Sequence, residues 1–270
     1  MTLLLLAIGI LIGAVLGLTG AGGSVLAVPL LLLFLKLDPA SATGLALGVV
    51  AASSIYGSIQ RIRHREILWI PAILFGISGA LFAPAGRLLS TQVTPQFLMS
   101  SFAVMSLVIA ARMLWQSIRQ PEQSTVVRAG GGNASTEPLL CRFSETKKFD
   151  WRFRCMAGLT VGGVITGILS GFFGVGGGFM IVPFLNQLNS VSMRQAVATS
   201  LVIIAAISSS GFVAHIVTQA IDWQQLALLS IGGVGGMVLG SVLARWIAGV
   251  HLQRIFALTI VVMAGMLFIR

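Results

Sequence analysis

The chain has 270 residues, of which 56% are hydrophobic and 9% are charged, and its formal net charge is +10. Soluble domains ordinarily carry about 25% charged residues, so this composition excludes a soluble globular domain and predicts an integral membrane protein. In such a protein the positive charge is expected to mark the cytoplasmic loops, where Lys and Arg accumulate, and we predict no nucleic-acid partner.

The first apolar stretch predicts two helices separated by a glycine-rich break. Residues 2–18 form one apolar helix, residues 19–24 hold the break, and a second apolar piece continues to Leu35. At 1.5 Å per residue the second piece reaches about 18 Å, short of the ~30 Å hydrocarbon core, so we expect the pieces to meet within the bilayer. The second helix could begin near Ser24 or at Pro29, and the sequence does not decide between these two starts. The apolar start lacks a basic segment and recurs later in the chain, so we expect it to be retained.

Three spanning helices and a polar linker are predicted after the first break. The linker is rich in Gly, Ser and Thr, which is typical of a flexible connection. The second half repeats the plan of a broken helix pair followed by three spanning helices. The predicted helices cover about 40–60, 67–89 and 95–117, then 154–186 (broken), 194–217, 224–246 and 252–269. The expected regions are a first transmembrane repeat (1–117), a cytoplasmic linker (118–152) and a second transmembrane repeat (153–270).

A tandem duplication explains this plan. Both breaks contain the same scarce residue types in one register, at a constant offset of 154. Further along, Ala42-Thr43 matches Ala198-Thr199 at an offset of 156, which predicts a two-residue insertion before that pair. The residues that recur at the first offset are Gly13, Gly17, Gly20, Gly22, Gly23 and Pro29, which return as Gly167, Gly171, Gly174, Gly176, Gly177 and Pro183.

The distribution of basic residues favours inverted copies. If each copy has two broken pieces that enter and return plus three spans, the odd number of spans inverts the second copy. That arrangement leaves only Lys36, Arg87 and Arg270 on the side opposite the linker. If each broken stretch crossed once, the copies would be parallel. The basic turn 61–65 would then share a side with 218–224, which has no Lys or Arg.

Each break predicts a polar site inside the membrane. A glycine turn leaves backbone groups without partners, which costs several kcal/mol per group unless the turn lines a polar cavity or is buried in protein. Glycine permits positive φ and close approach of a ligand to the backbone. The helix after each break points its N-terminus inward, so two such ends predict an anion site near the bilayer midplane. The candidate substrate-binding residues are Gly20, Gly22, Gly23, Ser24, Thr43, Gly174, Gly176, Gly177, Gly178, Thr199 and Ser200, with Thr19 and Ser170 as further hydroxyls near the turns.

Close helix packing is the alternative role for these glycines. Spacing of four residues is typical of helix contacts in membranes, so glycines with that spacing are interpreted as packing positions. At one of them, Gly167, we expect alanine to have a mild effect. Consecutive glycines weaken a helix, which favours the binding interpretation for the breaks themselves. The glycines with four-residue spacing are Gly13, Gly17, Gly167 and Gly171.

The ionisable residues lie at predicted helix ends. Asp38, Glu66 and Asp222 are all placed there, so a carboxylate proton relay inside the membrane is not predicted. His215 is near the end of its helix and is interpreted as an interfacial or packed histidine, with a proton carrier as the alternative. The basic cluster 61–65 is interpreted as a topology signal that contacts lipid headgroups, with a gate that draws anions to the cytoplasmic mouth as the alternative.

No catalytic residue, metal site or cofactor is predicted. Neither break is followed by the Lys-Ser or Lys-Thr of a phosphate-binding loop, and Cys141 and Cys155 lack metal-ligand spacing. A membrane-embedded enzyme or redox relay would need a nucleophile–base set or paired cysteines. The predicted function is a secondary transporter, driven by an ion or substrate gradient, that exports a small oxyanion bound near the bilayer midplane between the breaks. The alternatives are a membrane-embedded enzyme or redox relay, a permease for an unrelated solute, and a non-transporting scaffold. The predicted partners are a small anionic substrate and the lipid bilayer, and formation of a homo-oligomer is left open.

The two breaks, each followed by a proline in a duplicated chain, resemble the TauE/SafE family of sulfite exporter-like permeases. The most specific part is Gly-Phe-Phe-Gly-Val-Gly-Gly-Gly-Phe-Met-Ile-Val-Pro over 171–183. The later Ala-Thr pairs, and Glu66 or Asp222 before the following helix, fit the same pattern. The first copy departs from it by having Ser24 where the second copy has Gly178. The resemblance implies a plasma-membrane carrier that exports sulfite or a small organosulfonate.

Overall fold

Every regular element that the structure describes is a helix. The computed structural model describes residues 2–20, 23–63, 66–119, 153–178, 181, 193–244, 258–263 and 265. Residues 258–263 are also helical and fall within the helix predicted over 252–269, whose remainder lies outside the described residues. The longer elements are α1 (Thr2–Thr19), α2 (Gly23–Leu35), α3 (Pro39–Ile62), α4 (Trp69–Thr91), α5 (Pro95–Arg119), α6 (Phe153–Phe173), α7 (Met193–Thr218) and α8 (Trp223–Leu243).

These helices confirm the predicted all-α, polytopic membrane protein. Within the described residues, six helices are long and apolar enough to cross a bilayer, and two apolar stretches, Gly23–Leu35 and Pro95–Ala111, are shorter. The predicted linker lies outside the described residues from position 120 to 152, and so does Pro183. The six candidate spans are Thr2–Thr19, Pro39–Ile62, Trp69–Thr91, Met156–Phe173, Arg194–Thr218 and Trp223–Leu243.

The first break lies where the glycines predict it. Helix α1 ends at Thr19 and α2 begins at Gly23, so the structure selects the earlier of the two starts left open by the sequence. Pro29 therefore lies inside α2, where it cannot donate a backbone hydrogen bond. The ten residues from Gly23 to Leu32 are all buried. Because protein surrounds this short helix, it does not need to span the bilayer to hide its polar ends from lipid.

A single offset of 154 relates the two halves throughout. Helix α1 packs against α8, and α6 packs against α4. In both contacts a glycine of the first helix lies against the backbone of the second, and the two sets of facing residues differ by 154 in every position. The facing pairs are Gly9–Leu229, Gly13–Gly233 and Gly17–Met237 in one contact, and Gly163–Phe75, Gly167–Gly79 and Gly171–Ala83 in the other.

The two-residue insertion predicted from the Ala-Thr pairs is therefore wrong. Helices α3 and α7 begin at Pro39 and Met193, and α4 and α8 begin at Trp69 and Trp223, each pair 154 apart. The Ala-Thr match misled because small residues are frequent in packed membrane helices and recur by chance at a neighbouring register. The contacts between helices fix the true equivalence.

The two copies are inverted. Helices α3 and α7 occupy equivalent places in their copies and pack against each other. Gly44 near the start of α3 lies against His215 near the end of α7, whereas Gly57 near the end of α3 lies by Leu201 near the start of α7. Equivalent helices that run antiparallel require a two-fold axis perpendicular to them, which is the arrangement that inverted membrane repeats adopt.

The predicted packing glycines are confirmed, but the expected tolerance of alanine at one of them is not. A Cβ on Gly167 would overlap the carbonyl oxygen of Gly79, and one on Gly13 would overlap that of Gly233. These are backbone atoms of a neighbouring helix and cannot rotate away. The mild effect expected for Gly167→Ala is therefore wrong, because the spacing alone does not show how closely two backbones approach.

Candidate functional site

Both breaks turn through glycines in the left-handed region. Gly20 and Gly174, which are equivalent, share a φ of 72°, and Gly176 and Gly177 follow with φ of 70° and 69°. A residue with a Cβ is disfavoured by roughly 1–2 kcal/mol in this conformation, so the turns require glycine. Gly178 is buried, and Gly22 lies outside the described residues.

Each break packs against the central helix of the other copy. A Cβ on Gly20 would overlap Val197 of α7, and one on Gly174 would overlap Thr43 of α3. Ser200 of α7 also binds the first break, because its hydroxyl donates a hydrogen bond to the carbonyl oxygen of Gly20 at 3.1 Å. The inverted arrangement therefore brings the breaks into the middle of the molecule.

The two breaks come together around Gly176. A Cβ built on Gly176 would lie 2.6 Å from the Ser208 hydroxyl oxygen, 3.1 Å from Val50 Cγ1 and 3.6 Å from Ser24 Cβ. Ser24 belongs to the first break, Val50 lies at the middle of α3, and Ser208 lies on α7. Because Val50 is central in its span, this convergence lies near the middle of the membrane-spanning layer.

Two amides in the breaks already donate hydrogen bonds within the protein. The Gly20 amide donates to Leu16 O at 2.7 Å, and the equivalent Gly174 amide donates to Ser170 O at 2.8 Å. These bonds close the last turns of α1 and α6. The amides of Gly20 and Gly174 are therefore not available to a ligand.

Two buried hydroxyls near the second break lack a partner among the described residues. Ser170 and Ser208 are both fully buried, and neither hydroxyl oxygen has a hydrogen-bond partner. Ser208 lies against Gly176, and the Cβ of Ser170 lies 3.7 Å from a Cβ built on Gly177. An unsatisfied buried hydroxyl costs about 1–3 kcal/mol, which a bound polar ligand would recover.

Sequence reasoning missed Ser208 but found Ser170. No sequence signal marked Ser208, because its equivalent at the 154 offset, Ser54, is not among the predicted site residues. Ser54 differs in that its hydroxyl donates to the Val50 carbonyl within α3. The two halves thus share a backbone arrangement, but these equivalent hydroxyls do not make the same hydrogen bonds.

The two candidate threonines have different surroundings. Thr43 contacts Gly174 with its side chain and donates its hydroxyl hydrogen to Pro39 O at 2.7 Å. The hydroxyl of Thr199 accepts from the Leu68 amide at 3.0 Å, at the start of α4. Thr43 therefore lies at a break, whereas Thr199 accepts a hydrogen bond from the N-terminus of α4.

The acidic residues at helix ends act in capping and pairing. Asp38 and Asp222 accept backbone amides at the starts of α3 and α8, which satisfies donors that the helix itself cannot. Glu66 lies 3.5 Å from Arg61. No Asp or Glu lies within the described helices. His215 is fully buried against Gly44, which favours a packed histidine over an interfacial one.

Comparison with known proteins gives one family. The family model described as "Sulfite exporter TauE/SafE" matches residues 5–267. A "Probable membrane transporter protein" of Xylella fastidiosa is 30% identical over 262 residues, covering 95% of this chain and 90% of the relative. "Probable membrane transporter protein YunE" of Bacillus subtilis is 25% identical over 255 residues, covering 90% of this chain and 88% of the relative.

An archaeal relative, "Probable membrane transporter protein MJ0441" of Methanocaldococcus jannaschii, is 26% identical over 220 residues, covering 79% of this chain and 72% of the relative. No solved structure gives a significant match. The family match covers nearly the whole chain, including both breaks and all the helices that pack around them. The chain therefore belongs to the TauE/SafE family, and its class is that of a multi-pass membrane transporter.

Proposed function

We propose that this protein is a secondary transporter that exports a small oxyanion, sulfite or a small organosulfonate, and binds it where the two breaks meet. The observation that carries the proposal is the convergence of Ser24, Val50 and Ser208 on Gly176, with the Ser208 hydroxyl buried and unpartnered among the described residues. The proposed substrate-binding residues are Gly20, Gly22, Gly23, Ser24, Thr43, Gly174, Gly176, Gly177, Gly178 and Ser200, joined by Ser170 and Ser208, with Thr199 positioning α4.

The chemistry of this region favours an anion. The N-terminus of α2 begins in the first break and carries a partial positive charge of roughly half a unit. Amides and hydroxyls donate hydrogen bonds to an oxyanion, and a tetrahedral or pyramidal oxyanion offers several acceptor oxygens at once. A cation would find no carboxylate among the described helices. The description of the family, which names sulfite, supports the same class of substrate.

The proposed topology places the linker on the cytoplasmic side of the plasma membrane. Inverted copies put Arg61 and Arg63 on the linker's side and the turn after α7, which has no Lys or Arg, on the other, in keeping with the enrichment of Lys and Arg in cytoplasmic loops. The chain contains no phosphate-binding loop, so the energy for export would come from an ion or substrate gradient.

Substitution of Ser208 tests the site. Ser208→Ala removes a hydroxyl that has no hydrogen-bond partner among the described residues, so the fold should keep its stability. Affinity for sulfite or methanesulfonate should fall by about tenfold, the equivalent of one good hydrogen bond. The melting temperature without ligand measures stability, its shift on adding ligand reports affinity, and flux into liposomes measures transport. Chloride, which offers no array of acceptor oxygens, should compete poorly.

Ser106 provides the matched control. It is also buried and unpartnered among the described residues, but it lies on α5, outside the contacts of the breaks. Ser106→Ala should leave affinity and flux unchanged. Equal binding by the wild type and the Ser208→Ala variant, or stabilisation by cations and by no oxyanion, would place the substrate elsewhere.

A further inference from the structure

A buried arginine lies at the end of the molecule where α3 begins and α4 and α7 end. Arg87, in the last part of α4, is only 4% exposed. Its guanidinium donates from Nε to Thr218 Oγ1 at 3.3 Å, from Nη1 to Ser90 Oγ at 3.3 Å and from Nη2 to Gln219 Oε1 at 3.2 Å. All three acceptors are neutral, and a guanidinium has five N–H donors, so donors remain for a further ligand.

No carboxylate among the described residues pairs with Arg87. The nearest acidic group, Asp38, accepts hydrogen bonds from Ser41 and Gln219. Gln219 therefore stands between the two charges, since its Oε1 accepts from Arg87. Burial would raise the pKa of Asp38, but these hydrogen bonds outweigh it, so its pKa lies below the ordinary value and the carboxylate is ionised at neutral pH. A buried cation without a contacting anion is costly inside a membrane protein.

A second unsatisfied group lies beside Arg87. His215 is fully buried, and neither of its ring nitrogens has a hydrogen-bond partner among the described residues. Its charged neighbours are Arg87 from α4 and Asp38 from the turn before α3. A protein that buries an arginine and a partnerless histidine together would gain from an anion that accepts hydrogen bonds from both.

The position of this cluster links it to the breaks. The backbone nitrogen of Arg87 would lie 3.0 Å from a Cβ on Gly171, which is in the last turn of α6, three residues before Gly174. His215 lies against Gly44, the neighbour of Thr43, and Thr43 contacts Gly174. The cluster therefore lies within one or two helical turns of the second break, toward one end of the molecule.

We propose that Arg87 and His215, with Thr218 and Gln219, form a second oxyanion-binding site, through which the transported anion passes between the breaks and one face of the membrane. This inference rests on the proposed function for its place in transport, but not for the binding chemistry. The same chemistry could be met by the phosphate of an anionic lipid. A cleft of about 500 Å³ between α4 and α7 includes Arg87, and its wall residues Val213 and Val217 are exposed apolar side chains.

The test counts binding sites for methanesulfonate, a permanent anion, on the purified full-length protein in neutral detergent. The wild type should bind two equivalents. Arg87→Gln should lose one of them or weaken it by at least about tenfold, as expected for a charge-assisted contact. Ser208→Ala should weaken the other. Arg61→Gln, at a basic residue that pairs with Glu66 at the other end of α3, should keep both.

The two proposals can fail separately. One wild-type site that is lost in Arg87→Gln but unaffected by Ser208→Ala would support the arginine site and remove the break site. One site that is weakened by Ser208→Ala but unaffected by Arg87→Gln would remove free oxyanion binding at Arg87. The other possible ligand of Arg87, the phosphate of an anionic lipid, is then tested in nanodiscs with phosphatidylglycerol or with phosphatidylcholine alone. Loss of phosphatidylglycerol binding in Arg87→Gln would assign the site to lipid phosphate, and no effect in either arm would overturn the proposal.

A pH profile provides a readout that a purely structural role would not move. His215 can take up a proton when an anion lies beside it, so wild-type affinity for methanesulfonate should rise as pH falls from about 8 to about 5. His215→Gln should flatten that profile while keeping a folded protein. If Arg87→Gln cannot be purified, this comparison decides the matter. Identical profiles for the wild type and His215→Gln would then refute the site.

Discussion

At the scale of single residues, a serine of one copy supplies the hydrogen bond that a proline removes from a helix of the other. Pro84 lies inside α4 and cannot donate to the carbonyl of Ala80, four residues earlier. The hydroxyl of Ser210 on α7 donates to that carbonyl. A helix from the second copy therefore satisfies a backbone acceptor that the first copy leaves open, which lets the proline remain inside a membrane span.

Ser210→Ala should lower stability because it leaves the Ala80 carbonyl without a donor. We expect a loss of about 1–3 kcal/mol, measured as a fall in melting temperature of the purified protein. In a Pro84→Ala background the new backbone amide can donate to Ala80 O, so Ser210→Ala should cost much less. Additive effects of the two substitutions in a double-mutant cycle would show that the proline and the serine are not coupled.

At the scale of helices, the molecule is held by two equivalent crossings at which backbones touch. Helix α1 lies on α8 and α6 lies on α4 through glycines whose Cβ positions are filled by atoms of the other helix. Close approach of this kind replaces the hydrophobic effect as a source of stability in lipid, because it increases dispersion contacts and permits weak Cα–H···O bonds. Each crossing joins the first helix of one copy to the third spanning-length helix of the other.

Alanine at Gly13 or Gly167 should be strongly destabilising, and to a similar extent, because the two positions are equivalent. Forcing the helices apart should lower the melting temperature and the yield of folded protein, with a cost of at least about 1–3 kcal/mol for each substitution. The controls are Gly158→Ala on α6 and Gly235→Ala on α8, where an added Cβ meets no atom of the described residues within 4 Å. These should be neutral or stabilising, since alanine favours a helix by about 1 kcal/mol over glycine. Tolerance of alanine at all four positions would contradict the close crossings.

At the scale of the whole molecule, inversion determines where the breaks meet. Because α3 and α7 run antiparallel, each presents its starting turns to the break of the other copy, at Thr43 and Val197. A parallel arrangement of the copies would place both breaks at similar depth but facing the same direction. The two-fold axis instead brings the breaks together from opposite sides, which is the arrangement that the proposed site between them needs.

Labelling of single cysteines in a Cys-free background tests the topology that follows from inversion. Arg63 and Ala220 are both exposed, at the ends of α3 and α7 respectively. A membrane-impermeant thiol reagent should label Arg63→Cys only from the cytoplasm and Ala220→Cys only from outside, because equivalent helices end on opposite faces. Labelling of both positions from one face would exclude the inverted arrangement in the membrane.

The sequence by itself determined the class of protein, the limits of most helices and the location of the breaks. These features depend on local signals: low charge, uninterrupted apolar runs, and consecutive glycines that a helix does not tolerate well. The family was also visible at this level, since its most specific motif is the second break. The register of the repeats was only partly determined, because small residues allowed an offset of 156 beside the true 154.

Only the tertiary structure decided which residues come together. The approach of Ser208 to Gly176, the donation of Ser210 to Ala80 and the neighbourhood of Arg87 and His215 all join segments more than 30 residues apart, and such pairs depend on how helices cross. Composition cannot show whether a glycine lies against a backbone, as Gly167 does, or has no described atom within 4 Å of its Cβ position, as is the case for Gly158. The reason is physical: burial and partners are set by packing between helices, whereas helix formation in a membrane is set by each segment alone.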